Sequence, residues 1–429
     1  MKKNKSLYAF REVPYMGVIW VVAEAMKLGF YNGNPDWANL GQGQPEVGEM
    51  DGAPPRIKSV ELEPHDHAYG PLGGSQQLRE KIAEHYNRLF RKKHSSKYTA
   101  DNVSVVMGGR LALTRVFAAM DNIRLGYKNP DYTAYEDMIN YHKGKIKAIE
   151  IPTKSADGFS VPASEIDKTI KKFKLNAYLL SNPCNPTGFV IDGNNLDNYV
   201  KAGSRNNCTM IFDEFYSHFI YDDDKPGNAA VSASAFVNDV NNTPVIIIDG
   251  LTKSFRYPGW RIGWVLAPER IIENINRAAS AIDGGPSQPM TRAAIKVLEK
   301  NHADSETSAV RKVFSRKKNI MLEALRKSGI ECLPSNGTFY LWGNISALPK
   351  PINNAEQFFN EALKHRVMTV PGYFFDIQAG SKKKNKSEFR QWVRFSFGPP
   401  EENMMQGLER LTKMIQSFSA KKKNESLVL

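Results

Sequence analysis

The chain has 429 residues, more than one typical hydrophobic core accommodates, so two domains are expected. Hydrophobic residues at 41% and charged residues at 24% suit a globular protein, and no apolar run approaches the roughly 18 residues that cross a bilayer. The net charge of +13 does not mark a nucleic-acid groove, because lysine runs at 2–5, 382–386 and 421–423 carry most of it and read as solvated segments.

In chain order, basic residues precede an apolar stretch at 16–23, and Ala23-Glu24-Ala25 mimics a cleavage site. Arg11, Glu12 and Pro14 break the pattern of a signal peptide, so an amphipathic opening helix is expected instead. Strands are expected at 103–107, 147–151, 177–181, 209–213, 245–249 and 262–267, with helices between them such as 109–120 and 194–205. That alternation describes a mostly parallel sheet covered on both faces, with ligand groups at the carboxyl ends of its strands. From about residue 290 the texture becomes helical at 291–300 and 308–328. Short strands at 338–342, 367–370 and 391–397 and a closing helix at 400–417 follow, so a smaller α+β domain is expected there. Residues 376–388 read as a lysine-rich surface loop. Cys184, Cys208 and Cys332 lack CxxC spacing and cannot all pair, which suits a reducing, cytoplasmic setting; no metal site is expected.

The chemistry centres on Lys253, which follows the apolar run 245–248 and precedes Arg261 by eight positions. Most lysines are surface charges. One at the end of a buried strand loses hydration, its pKa falls, and the neutral amine can attack a carbonyl. Arg261 offers a fork suited to phosphate, and an aldehyde that also bears a phosphate describes pyridoxal phosphate. Asn182-Pro183-Cys184-Asn185-Pro186-Thr187-Gly188 is a tight turn after a strand, with a cis bond expected at Asn185–Pro186; it is either structural punctuation or a way to present Asn185. Asp213 ends the next strand, either as a helix cap or as the partner of a protonated ring nitrogen, and Tyr216 lies three residues on. Gly108, Gly109 and Arg110 join a strand to a helix, where backbone N–H groups favour an anion. Tyr132 offers an aromatic face. Arg394 sits among inward-facing apolar residues of a strand and needs an anionic partner, which a substrate carboxylate supplies.

In this order, from Gly41-Gln42-Gly43-Gln44-Pro45 to the Arg394 strand, these motifs resemble the class I/II aminotransferases of the fold-type I pyridoxal-phosphate enzymes. The resemblance implies a three-layer large domain with a seven-stranded sheet at 51–295, an N-terminal segment at 1–50 and a small domain at 296–429. It implies that Lys253 forms the cofactor aldimine, that Asp213 pairs with the pyridine nitrogen, and that Asn185 and Tyr216 bond the ring oxygen. Tyr132 would stack on the ring, while Gly109, Arg110 and Arg261 hold the phosphate. Arg394 and Gly43 would meet the substrate carboxylate, and Tyr69 would reach the phosphate of a second subunit in a homodimer. An amino acid and a 2-oxo acid are the implied substrates. A β-lyase or cyclising synthase on the same fold is the alternative, and a non-enzymatic regulator a third. Gly250 stands where many members place a hydroxyl, and no arginine falls at 279–281 to read a second carboxylate. Arg110 occupies the place of a lysine that does so in a subgroup, whereas Asp283 would oppose it from the same pocket.

Overall fold

The computed structural model describes residues 9–10, 13, 15, 17–222, 229–379 and 387–427, with side chains to 420. The lysine runs at 2–5 and 382–386, and the side chains of 421–423, lie outside these residues. The opening helix is Gly17–Met26, and its buried residues Gly17, Val21 and Ala25 recur every fourth position, as one helical face requires.

A seven-stranded sheet runs in the spatial order Val103–Val106, Gly263–Leu266, Val245–Gly250, Thr209–Asp213, Ala177–Ser181, Ile123–Lys128 and Ile146–Ile151. Only Gly263–Leu266 runs antiparallel to its neighbours in this sheet. Both faces are buried, and alternate residues serve different cores. Ile211, Ile246 and Ile248 join one cluster with the helix residues Leu113, Val116 and Ile275. Met210, Phe212, Val245 and Ile247 join another with Leu78, Ile82 and Val200. The strands therefore read as unbroken apolar runs, the pattern of a sheet covered on both sides. Ile123–Lys128 is a strand that the sequence pattern does not reveal.

A four-stranded antiparallel sheet follows, in the order Val370–Pro371, Trp392–Ser396, Tyr340–Asn344 and Glu331–Cys332. The expected strand at 367–370 divides: Val367–Met368 pairs with Ala38–Asn39 instead, which ties the start of the chain to its final third. Long helices Lys300–Lys327 and Glu401–Leu427 accompany this region. Among the described residues no helix is long and apolar enough to cross a membrane, and the three cysteines are unpaired.

Candidate active site

Parallel strands deliver their carboxyl ends to one edge of the large sheet. Ser181 lies beside Asp213 and Asp213 beside Ile248 in register. The antiparallel strand begins at that same edge, with Gly263 opposite Gly250 and Val106, so Arg261 arrives next to the Lys253 loop. This topology gathers residues that are far apart in sequence.

Lys253 is half-buried, and its amine donates to the Gly43 carbonyl. Burial above all, then the nearby Arg394, Arg110 and Arg261, lowers this amine to about 7, while Asp213 opposes the shift. A near-neutral amine in folded protein at physiological pH is a prepared nucleophile. Asp213 is buried and accepts from the Tyr135 hydroxyl at 2.8 Å. Burial raises its carboxyl to about 6, against the lowering effect of Tyr135.

Arg394 is buried on its strand. It donates to Asn185 Oδ1 at 3.0 Å and to the Gly41 carbonyl at 2.9 Å, and its Nε has no partner. The Asn185 backbone is fixed in turn by Ser181 Oγ at 3.2 Å. That hydroxyl donates to buried Asp131, which also accepts from the Tyr132 amide and pairs with Lys128 at 3.2 Å. In the same turn the cis bond falls at Asn182–Pro183 rather than at Asn185–Pro186.

At the other end, Gly108 has φ +84°, and a Cβ there would stand 2.3 Å from Arg261 Nη2. The helix Gly109–Ala119 starts at this point, with its first amides open beside the Arg261 guanidinium. Arg110 is exposed and donates to the Tyr132 hydroxyl at 3.2 Å. Tyr132 is half-buried, edge-on to Tyr135. Gly250 has no room for a side chain, because a Cβ would come within 2.6 Å of Gly263 Cα. Two residues further, Thr252 Oγ1 is buried without a partner, so a hydroxyl is present that Gly250 lacks. Tyr216 meets the Tyr340 hydroxyl at 2.9 Å.

Segment 41–48 is tied down by cations. Lys253 holds Gly43, Arg394 holds Gly41, Arg256 donates to the Gly48 carbonyl at 2.7 Å, and Lys317 pairs with Glu46 at 2.9 Å. Asp283 is paired with the buried Arg115 guanidinium through bonds of 2.6 and 3.0 Å. Tyr69 lies apart from the cluster and is 99% exposed. Sequence reasoning missed Tyr135, Thr252, Tyr340 and the Asp131 network. Tyr135 had a signal, three residues after Tyr132 at the start of a helix; Tyr340 had none, since it reads as one more core aromatic.

The residues present fit pyridoxal phosphate. A near-neutral amine meets an aldehyde, a buried acid meets a ring nitrogen, and a guanidinium, a helix start and an unpartnered hydroxyl meet a phosphate. Fold and charge arrangement together define the fold-type I, pyridoxal-phosphate-dependent transferases. A family model described as aminotransferase class I and II matches residues 35–411, and the chain belongs to that family. It is a pyridoxal-phosphate-dependent aminotransferase. Similar curated proteins include the aspartate aminotransferase of Sulfurisphaera tokodaii, 27% identical over 388 residues that cover 88% of this chain and 89% of the relative. Another is the (5-formylfuran-3-yl)methyl phosphate transaminase of Methanocaldococcus jannaschii, 28% identical over 86% of this chain and 90% of that protein. Among solved structures, Thermus thermophilus aspartate aminotransferase with maleate aligns at TM-score 0.77 and 21% identity, covering 94% of this chain and all of that one.

Proposed function

We propose that Lys253 is the residue that tethers the cofactor, and that the chain moves an amino group from an acidic amino acid to a 2-oxo acid. When bound, pyridoxal phosphate supplies an electrophilic carbonyl and a ring that accepts the electron pair left at the substrate's Cα. Lys253 Nζ, lowered to about 7 chiefly by burial, would hold the cofactor at its carbonyl carbon and, as a free amine, would serve as the base facing the substrate's Cα. Asp213, steadied by Tyr135, keeps the ring nitrogen protonated. Tyr216 and Asn185 would bond the ring oxygen, and Tyr132 would lie against the ring. Arg261, Thr252 and the first amides of the helix at Gly109 and Arg110 take the phosphate. Arg394 takes the substrate α-carboxylate, with Gly43 lending its backbone.

The observation that carries this reading is that the Lys253 amine and the buried, incompletely satisfied Arg394 guanidinium bond carbonyls two residues apart, Gly43 and Gly41, with buried Asp213 among the charges acting on that amine. The acidic donor is supported by Arg110, an exposed cation whose charge acts on Lys253, and by the pairing of Asp283 with Arg115, which removes the opposing charge. Several relatives also carry aspartate in their names. Tyr69, a fully exposed aromatic, supports a homodimer with composite sites. The unpaired cysteines support a cytoplasmic setting. A division at residues 50/51 and 295/296 is supported by the sheets, since the large one lies within 103–266.

Amino donors carrying an isotope-labelled nitrogen, offered with 2-oxoglutarate or pyruvate, test the reaction: label is expected on the acceptor. Release of ammonia or a thiol without oxo-acid consumption would favour the lyase alternative. Arg110→Ala is expected to raise KM for acidic donors selectively; equal losses for neutral donors would move Arg110 to phosphate binding.

A further inference from the structure

Tyr216 follows the strand Thr209–Asp213, and Tyr340 opens Tyr340–Asn344 next to the Arg394 strand, opposite Ser396. Their hydroxyls meet at 2.9 Å with both rings buried. The pair borders the site: Arg394 lies 4.0 Å from the Tyr340 ring centre, and the Lys253 amine 5.9 Å from that of Tyr216. A Cβ on Gly43 would stand 3.9 Å from the Tyr340 oxygen.

Two hydroxyls bring two protons, yet one suffices for the bond between them. Burial first of all raises both phenols above their ordinary value, so both protons are retained near neutrality. Among the described residues neither hydroxyl has a second hydrogen-bond partner. Buried donors are rarely left unaccepted, so the spare proton is aimed at whatever fills the site. The Arg394 guanidinium lies over the Tyr340 ring, and a cation there favours that phenol as the donor.

We infer that Tyr340 donates to Tyr216 and thereby turns the Tyr216 proton outward, onto the phenolic oxygen of bound pyridoxal phosphate. Tyr340 is a positioning residue that acts through Tyr216. This direction holds only if Lys253 tethers the cofactor beside Tyr216, as proposed above. A hydroxyl that itself accepts a hydrogen bond is the stronger donor, so Tyr340 strengthens the contact without touching the cofactor.

The visible absorbance of the loaded protein, followed against pH, tests the relay, with Arg394, Lys253 and Tyr132 as the other ionisable groups facing the pair. Tyr340→Phe keeps the ring under Arg394 and removes only the hydroxyl. Its transition is expected to move up by about half a pH unit, because the weakened Tyr216 donor stabilises the phenolate less. KM for the amino acid should change little, whereas Tyr340→Leu, which removes the ring as well, should raise it. In a Tyr216→Phe background, adding Tyr340→Phe is expected to move the transition no further. An unmoved transition in loaded Tyr340→Phe, or a full additional shift in the double variant, overturns the relay alone. A wild-type protein that gains no visible band with pyridoxal phosphate overturns the lysine assignment and the relay with it.

Discussion

Lys253 shows how position, not residue type, creates reactivity. The same side chain on a surface helix would hold its proton up to about pH 10. Here the loss of hydration and three neighbouring guanidinia bring it to about 7. Uptake of pyridoxal phosphate by the cofactor-free protein should therefore quicken as pH rises through about 7, where the amine becomes neutral. Lys253→Ala should abolish both turnover and the borohydride-reducible chromophore; a variant that kept either would show that another group holds the cofactor. Arg394→Ala removes a charge-assisted fork and is expected to raise KM for every amino acid by about a hundredfold, or ~3 kcal/mol. Steady-state kinetics on several donors would check this, and an unchanged KM would place carboxylate recognition elsewhere.

At the scale of elements, the sequence was most legible where a strand is buried on both faces. Ala177–Ser181 and Thr209–Asp213 are continuous apolar runs, and their expected limits agree with the structure. Ile123–Lys128 was not legible because Arg124, Gly126 and Lys128 interrupt the run. Each has a tertiary reason: the Arg124 guanidinium bonds the Phe173 carbonyl, Gly126 lies against Leu175 and Tyr178, and Lys128 pairs with Asp131. The site followed the same rule. Residues at the ends of apolar strands, such as Asp213 and Lys253, stood out, whereas Tyr340 and Thr252 depend on contacts that only the assembled sheet creates. Gly250 had looked like a missing hydroxyl, but the approach of Gly263 gives it a packing reason. Gly250→Ala should cost about 3 kcal/mol through overpacking between two backbones. A lowered thermal midpoint in the loaded protein would register it, and an unchanged midpoint would mean that the strands can separate freely.

For the whole molecule, the buried carboxyls set how stability responds to pH. Asp249 accepts from the Gly250 amide at 2.6 Å, Ser217 at 2.9 Å and Tyr86 at 3.3 Å, yet burial outweighs these and raises it to about 8. Its folded pKa lies above the unfolded one, so the stability it contributes is full below the ordinary carboxylate range and is lost as pH rises through about 8. Glu214 on the same side is raised as well, again chiefly by burial. Asp249→Asn cannot lose a proton, so its thermal midpoint relative to wild type should climb between about pH 5 and pH 8. A constant difference across that interval would mean that Asp249 stays ionised in the folded protein.

The carbonyls of Gly41 and Gly43 accept from Arg394 and Lys253, the two cations proposed above for substrate and cofactor. A segment bonded to both cations cannot shift without moving them, so residues 41–43 act as a strap that sets how the two groups stand relative to each other. A change that loosened the strap would let the amine and the guanidinium drift, and both proposed roles would suffer together.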